Sequence, residues 1–154
     1  MKITFKKCRD TEPVMAIVES LGDFFDEDVY REIRRDTKTD DLFGAYNSSG
    51  NMAGFIIFCP VNDQVIEITY MAVSNKYRGQ GIGQKLIKFG LDRLNKNKKY
   101  KICQAKTIGE GDRQRSFART RNFYIKYGFI PLESIKPYPG WHKDKYVQTF
   151  VLCL

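Results

Sequence analysis

Val65-Ile66-Glu67-Ile68-Thr69-Tyr70-Met71-Ala72-Val73 leads, across Ser74-Asn75-Lys76-Tyr77, into Arg78-Gly79-Gln80-Gly81-Ile82-Gly83. The first run is rich in β-branched and aromatic residues and predicts a central strand. After the glycines, Ile82, Leu86, Ile87, Leu91 and Leu94 recur at helical spacing, with Lys85, Lys88, Asp92 and Lys96 opposite them. The glycines therefore fill a strand-to-helix turn. They let backbone approach a ligand closely and leave N–H groups free at a helix start, where the dipole favours an anion. This is a phosphate site in outline. It is not a Walker loop, because no Lys-Ser/Thr pair follows at the required spacing. Nor is it G-x-G-x-x-G, because the third glycine comes one residue early.

What fits is R-x-x-G-x-G, carried by Arg78, Gly81 and Gly83. Together with Met71-Ala72-Val73 before it, this resembles the pyrophosphate loop of the GNAT N-acetyltransferase superfamily. A second stretch, Asn122-Phe123-Tyr124-Ile125-Lys126-Tyr127-Gly128-Phe129, resembles that family's aromatic-Tyr-x-x-x-Gly-Phe signature. The resemblance implies a mixed, mostly antiparallel α+β sheet of six to seven strands flanked by about four helices. It also implies acetyl-CoA as co-substrate, bound by residues 79–84, Arg78 and the backbone of Met71, Ala72 and Val73. Within the loop the implied contacts are Gly79, Gln80, Gly81, Ile82, Gly83 and Gln84.

Tyr124 is the residue that matches the family's general acid, and the Gly-Phe register selects it over Tyr127. A phenol with a pKa near 10 keeps its proton at neutral pH and can donate it to a thiolate of pKa about 8.5. The alternative is a core tyrosine on an amphipathic helix. Glu67 matches a catalytic glutamate of histone-type members through Glu67-Ile68-x-x-x-Ala72-Val73. It shares a strand face with Val65, Thr69, Met71 and Val73. Apolar neighbours there would raise its pKa and suit it as a base; a solvent-facing or Lys/Arg-paired glutamate is the alternative. His142, in Pro137-Tyr138-Pro139-Gly140-Trp141-His142, is the other candidate base. Many family members carry an asparagine seven residues before the tyrosine; Phe117 stands there, ahead of Ala118-Arg119-Thr120-Arg121.

The 154 residues suit a single domain spanning 1–154, with 42% hydrophobic and 14% aromatic residues arguing against disorder. No apolar run of some 18 residues exists, and no apolar core follows the basic N-terminus, so the reading is a cytoplasmic protein away from membranes. Cys8, Cys59, Cys103 and Cys153 are widely spaced without C-x-x-C, and there is a single histidine. They read as free, largely buried thiols, with no metal site and no nucleophile motif. The net charge of +8 suits polyanionic coenzyme A. It would also suit nucleic acid, but Lys96, Lys98, Lys99 and Lys101 read as a solvated helix end, and no RNA-recognition or zinc-finger motif is present.

Along the chain, the pattern predicts a strand over 2–8, with Asp10 capping a helix over 13–21 and a second helix over 27–35. Strands follow at 42–46, 53–58, 65–73 and 100–105, with the glycine helix between the last two. Gly109-Glu110-Gly111-Asp112 breaks the chain, and a helix over 113–127 ends at Gly128. Strands at 129–132 and 146–152 close it. The acidic, aromatic Asp23-Phe24-Phe25-Asp26-Glu27-Asp28 would either face a cationic acceptor or cap the second helix. The expected activity is direct transfer of acetyl to a primary amine of a small molecule or a peptide, with a homodimer left open. The alternatives are a non-catalytic acyl-CoA-binding module and a basic nucleic-acid-binding protein.

Overall fold

The computed structural model describes residues 2–22, 25–110 and 115–154, with Arg115 and Ser116 as backbone only. Its strands are β1 (Thr4–Lys7), β2 (Asp41–Tyr46), β3 (Met52–Pro60), β4 (Val65–Val73), β5 (Ile102–Ile108), β6 (Ile130–Ile135) and β7 (Val147–Cys153). Its helices are α1 (Thr11–Glu19), α2 (Glu27–Thr39), α3 (Ile82–Leu94) and α4 (Arg115–Tyr127). The element order β-αα-βββ-α-β-α-ββ is the expected one. The strands form one seven-stranded mixed sheet in the order β1-β2-β3-β4-β5-β7-β6, with β4 and β5 parallel. No helix among the described residues is long and apolar enough to cross a membrane.

The chain divides into two compact units, one running to Cys59 and resuming over Thr69–Asn97, the other comprising Pro60–Ile68 and Lys98–Leu154. In the first unit, α1 buries Val14, Met15, Ile17 and Val18 at helical spacing. Asp10 stands at its N-cap position but makes no cap bond; its carboxylate accepts the Tyr46 hydroxyl at 2.6 Å instead. The capping expectation is corrected there: a buried phenol needs a partner more than a solvent-reachable amide does. In α2, Asp26 does cap, accepting from Val29 N at 3.0 Å. The helix runs four residues past the expected end because its last buried positions are polar. Thr37 bonds the Arg34 carbonyl and Thr11, and Asp36 bonds Arg35. β3 is buried from Met52 to Phe58, and with Val14, Ile33, Leu42 and Phe43 it makes this unit's core.

In the second unit, residues 65–68 of β4 run parallel to β5, in register from Val65↔Ile102 to Ile68↔Ala105. β5 pairs antiparallel with β7 over its full length, from Ile102↔Cys153 to Ile108↔Val147. That pairing carries β5 three residues beyond the expected end, through Lys106-Thr107-Ile108. β6 is the edge strand, interrupted by a bulge between Pro131 and Ser134. Pro131 and the bulge blunt an edge that exposes Ile130, Leu132 and Ile135.

None of the four cysteines is joined in a disulfide. The expectation of largely buried thiols holds for Cys103 alone; Cys8 and Cys59 are half-buried and Cys153 is exposed on the last strand residue. Asp23, Phe24, Gly111, Asp112 and the expected start of the 113–127 helix lie outside the described residues.

Candidate functional site

The glycine turn lies in the first unit. β4 ends at Val73, and a short 3-10 turn at Asn75–Tyr77 redirects the chain. The Ser74 amide donates to the Ala53 carbonyl at 2.9 Å, and the hydroxyl of the buried Tyr77 accepts from the Asn47 side-chain amide at 2.8 Å. Arg78 folds back, its Nε donating to the Val73 carbonyl at 3.1 Å. Gly79 and Gly81 then adopt φ of +75° and +72°, the left-handed region that side chains disfavour. Nothing lies within 4 Å of where a Cβ on Gly79 would be, and at Gly81 only the Gln84 amide oxygen does, at 3.9 Å. The turn is bare backbone facing open space.

Gly81 is the N-cap of α3, with no side-chain cap and no acidic residue in the first turn. The first helical bond runs from Lys85 N to the Gly81 carbonyl at 3.1 Å. The amides of Ile82, Gly83 and Gln84 precede it and are available to an outside acceptor. Ile82 is buried in the core, so it can offer only its amide, whereas Arg78, Gly79, Gln80 and Gln84 are exposed. Met71 and Val73 are half-buried and Ala72 is buried. β3 packs directly on that backbone: a Cβ on Gly54 would stand 2.9 Å from the Ala72 carbonyl oxygen.

The first unit also joins Phe25 of the 23–28 segment to Tyr70 and to Glu32, a link the sequence did not single out. The Tyr70 hydroxyl donates to Glu32 Oε2 at 2.6 Å, and Phe25 meets the Tyr70 ring edge-on at 6.5 Å. Burial first, and then Glu32, pushes the Tyr70 phenol well above its ordinary range. Within the 23–28 segment, Asp26 caps α2 and Asp28 pairs with Arg31, so the capping reading accounts for those two acids. Asp23 and Phe24 are outside the described residues.

Glu67 and Tyr124 belong to the second unit. Glu67 Oε2 receives Lys106 Nζ at 2.7 Å, and the side chains are only 16% and 19% exposed. Gln104, directly opposite Glu67 in the parallel register, donates to the same oxygen. Lys106 Nζ also stands 5.7 Å from the centre of the Tyr138 ring. The expectation of apolar surroundings for Glu67 is thus corrected. Its partners come from the neighbouring strand, and one of them is a cation.

Tyr124 is 5% exposed. It is held by rings, Phe129 at 5.1 Å and Phe150 at 5.6 Å. The spacing of the Tyr-x-x-x-Gly-Phe stretch has a local cause. Gly128, at φ +111°, ends α4 with its amide on the Ile125 carbonyl, and the Phe129 amide bonds the Tyr124 carbonyl, both at 3.0 Å. This is a Schellman cap, which brings the residue after the glycine onto the residue five before it. Here that contact is Phe129 on Tyr124. Burial, and then Cys103 and Glu67, raise the Tyr124 phenol above its ordinary range, so it stays protonated. Burial likewise pushes the Cys103 thiol up to about 12.

Two depressions, of about 420 and 410 Å³, lie by Lys2, Lys6 and Tyr46 and by Arg121, Asn122 and Ile125. Neither includes any of the residues expected from the sequence to bind or react. A family model described as Acetyltransferase (GNAT) domain matches residues 38–131. The chain belongs to the GNAT family. It is 31% identical over 80 residues to the uncharacterised N-acetyltransferase YhbS of Escherichia coli (strain K12), a match covering 46% of this chain and 48% of YhbS. The chain therefore spans about half the length of the curated relatives it matches.

The same fold occurs in a GNAT-family protein of Desulfovibrio desulfuricans, with TM-score 0.83, 19% identity and 99% of each chain covered. It occurs again in a GNAT-family acetyltransferase of Elizabethkingia anophelis solved with acetyl-CoA bound, with TM-score 0.71, 22% identity and 99% and 98% covered. The seven-stranded mixed sheet with four helices agrees with the expected GNAT architecture of six to seven strands and about four helices.

Within this GNAT chain, the loop residues and 71–73 fall in one unit and Glu67 and Tyr124 in the other. His142 and Trp141 are exposed on the loop before β7. Arg121 of the basic α4 run anchors the helix to the end of β5, its guanidinium donating to the carbonyls of Ile108 at 2.9 Å and Gly109 at 3.3 Å. Sequence reasoning missed Lys106 and Glu32. A period-2 count carried past Ala105 would have put Lys106 on the face of Gln104; nothing local points from Glu32 to Tyr70.

Proposed function

We propose that this chain works as one domain that transfers acetyl from acetyl-CoA directly to a primary amine of a small molecule or a peptide. The observation that carries the proposal is the bare left-handed turn at Gly79 and Gly81, opening onto unpaired amides at the start of α3. A pyrophosphate fits that chemistry, with no side chain in the way and no acid in the first turn. The amides of residues 79–84 and Arg78 would hold it, and the 71–73 backbone would meet the pantetheine arm and polarise the thioester carbonyl.

The amine must attack as a neutral nitrogen. Glu67, directly or through water, takes its proton, and Tyr124, kept protonated by burial, returns one to the departing thiolate. The elevated Cys103 thiol is a poor nucleophile at neutral pH, which supports direct transfer over an acetyl-cysteine intermediate.

The test is calorimetric titration with acetyl-CoA of the wild type and a Gly81→Glu variant. The expected result is micromolar binding that falls at least about 100-fold in the variant, since a carboxylate then meets the phosphates in a strained turn. A wild type that does not bind would sink the proposal. Binding without turnover on an amine panel would point to a non-catalytic acyl-CoA-binding module.

A further inference from the structure

A general base acts only on a proton within hydrogen-bond reach, so the nitrogen that Glu67 serves must come within about 2.6–3.2 Å of its carboxylate. In this structure a primary amine already stands there. It is the chain's own Lys106, with Nζ 2.7 Å from Glu67 Oε2. The position is built rather than incidental. Gln104 donates to the same oxygen from across the parallel register, the Lys106 and Glu67 side chains are four-fifths buried, and the Tyr138 ring lies beside the ammonium. A surface lysine would sample many rotamers; this one is held at one carboxylate oxygen. Resting on the acetyltransferase reading with Glu67 as base, we infer that Lys106 is an acetyl acceptor of its own enzyme, and that an outside amine must displace it from Glu67.

The step balances with acetyl-CoA as the only co-reactant. The Lys106 ammonium passes one proton to Glu67, and the neutral Nζ attacks the thioester carbonyl carbon. The N–C bond forms and the C–S bond breaks. The second nitrogen proton leaves as the amide forms and neutralises the departing thiolate, which leaves as the free thiol, and Glu67 returns its own proton to water. The product amide carries no charge, so the ion pair is lost and Gln104 alone remains on the carboxylate. Self-acetylation therefore changes what Glu67 presents to an acceptor amine.

The experiment is timed incubation of the wild type, Glu67→Gln and Lys106→Arg with acetyl-CoA, with each lysine followed by peptide mass spectrometry. The exposed Lys38 and Lys143 report uncatalysed acetylation. Lys106 is expected to react at least about tenfold faster than either in the wild type, and to fall to their rate in Glu67→Gln. Lys106→Arg keeps a cation at Glu67 and should lower total incorporation while leaving Lys38 and Lys143 unchanged. Circular dichroism of each variant excludes unfolding as the cause. Lys106 reacting no faster than the exposed lysines, or equally fast in Glu67→Gln, overturns the inference. Acetyl-CoA binding by calorimetry separates the two claims: binding without Lys106 acetylation fails this inference alone, and no binding fails the acetyltransferase reading itself.

Discussion

The glycine turn and the Glu67–Tyr124 region present two kinds of chemistry. In the turn, backbone does the work: positive φ at Gly79 and Gly81 and unbonded amides at the start of α3. Around Glu67 and Tyr124, side chains from three strands, a helix and a loop meet, namely Glu67, Gln104, Lys106, Phe150, Tyr124 and Tyr138. The first is specified by a few consecutive residues, two of which hold positive φ and so favour glycine. The second depends on register between distant segments, so single substitutions there should alter rate while leaving cofactor binding intact.

The sharpest test of that contrast after the loop variant is Tyr124→Phe. It removes one oxygen and keeps the ring contacts with Phe129 and Phe150. General-acid catalysis contributes on the order of 100-fold or more. Steady-state assays with acetyl-CoA and an amine panel should show kcat lowered by roughly that factor, with KM for acetyl-CoA within about twofold of wild type. A variant that keeps full kcat would make Tyr124 a core residue and leave the thiolate to be protonated by solvent.

The same contrast explains what could be read from the chain before folding. The span Val65–Val73 and the glycine turn are visible because each is encoded locally, by β-branched alternation and by residues that alone accept positive φ. The aromatic-Tyr-x-x-x-Gly-Phe spacing is also local, since a helix stop at Gly128 returns Phe129 onto Tyr124. The setting of Glu67 is not local. Neighbours on its own strand, Val65, Thr69 and Met71, suggest an apolar site. The groups that touch it, Gln104 and Lys106, are 37 and 39 residues away and arrive through strand pairing. The end of α2 was hidden for a related reason. Asp36 and Thr37 are buried polar residues whose partners are Arg35, Arg34 and Thr11, so hydrophobic periodicity stops before the helix does.

Gly128→Ala probes whether the helix cap positions the tyrosine. An alanine at φ +111° is strained, while the nearest atom to its Cβ, Leu152 Cδ1, is an ordinary 3.9 Å away, so the effect is conformational and not a clash. The strain costs about 1–2 kcal/mol, a fall in Tm of roughly 2–8 °C for a chain of this size. Because Phe129 packs on Tyr124 through this cap, kcat should also drop by about three- to tenfold, with acetyl-CoA affinity unchanged. A lower Tm with wild-type kcat would show that the cap serves stability alone.

The smallest expected effect is on stability at alkaline pH. Tyr46, Tyr70 and Tyr124 all have phenols raised in the folded state, chiefly by burial, with Asp10 and Glu32 adding to the shift for the first two. A raised folded-state pKa means the unfolded chain releases these protons first, so their contribution is intact below about pH 10 and declines as pH rises further. The buried Cys103 thiol, also raised, starts the decline: the urea midpoint should sag from about pH 8.5 and fall more steeply above about pH 10, and the steeper part should be shallower in Tyr124→Phe because one of the three phenols is gone. The comparison with that variant matters, since lysines titrate in the same range. Parallel curves for wild type and Tyr124→Phe would mean that Tyr124 ionises as readily folded as unfolded. Its hydroxyl would then be solvated, and the general-acid role would lose the burial that keeps its proton in place.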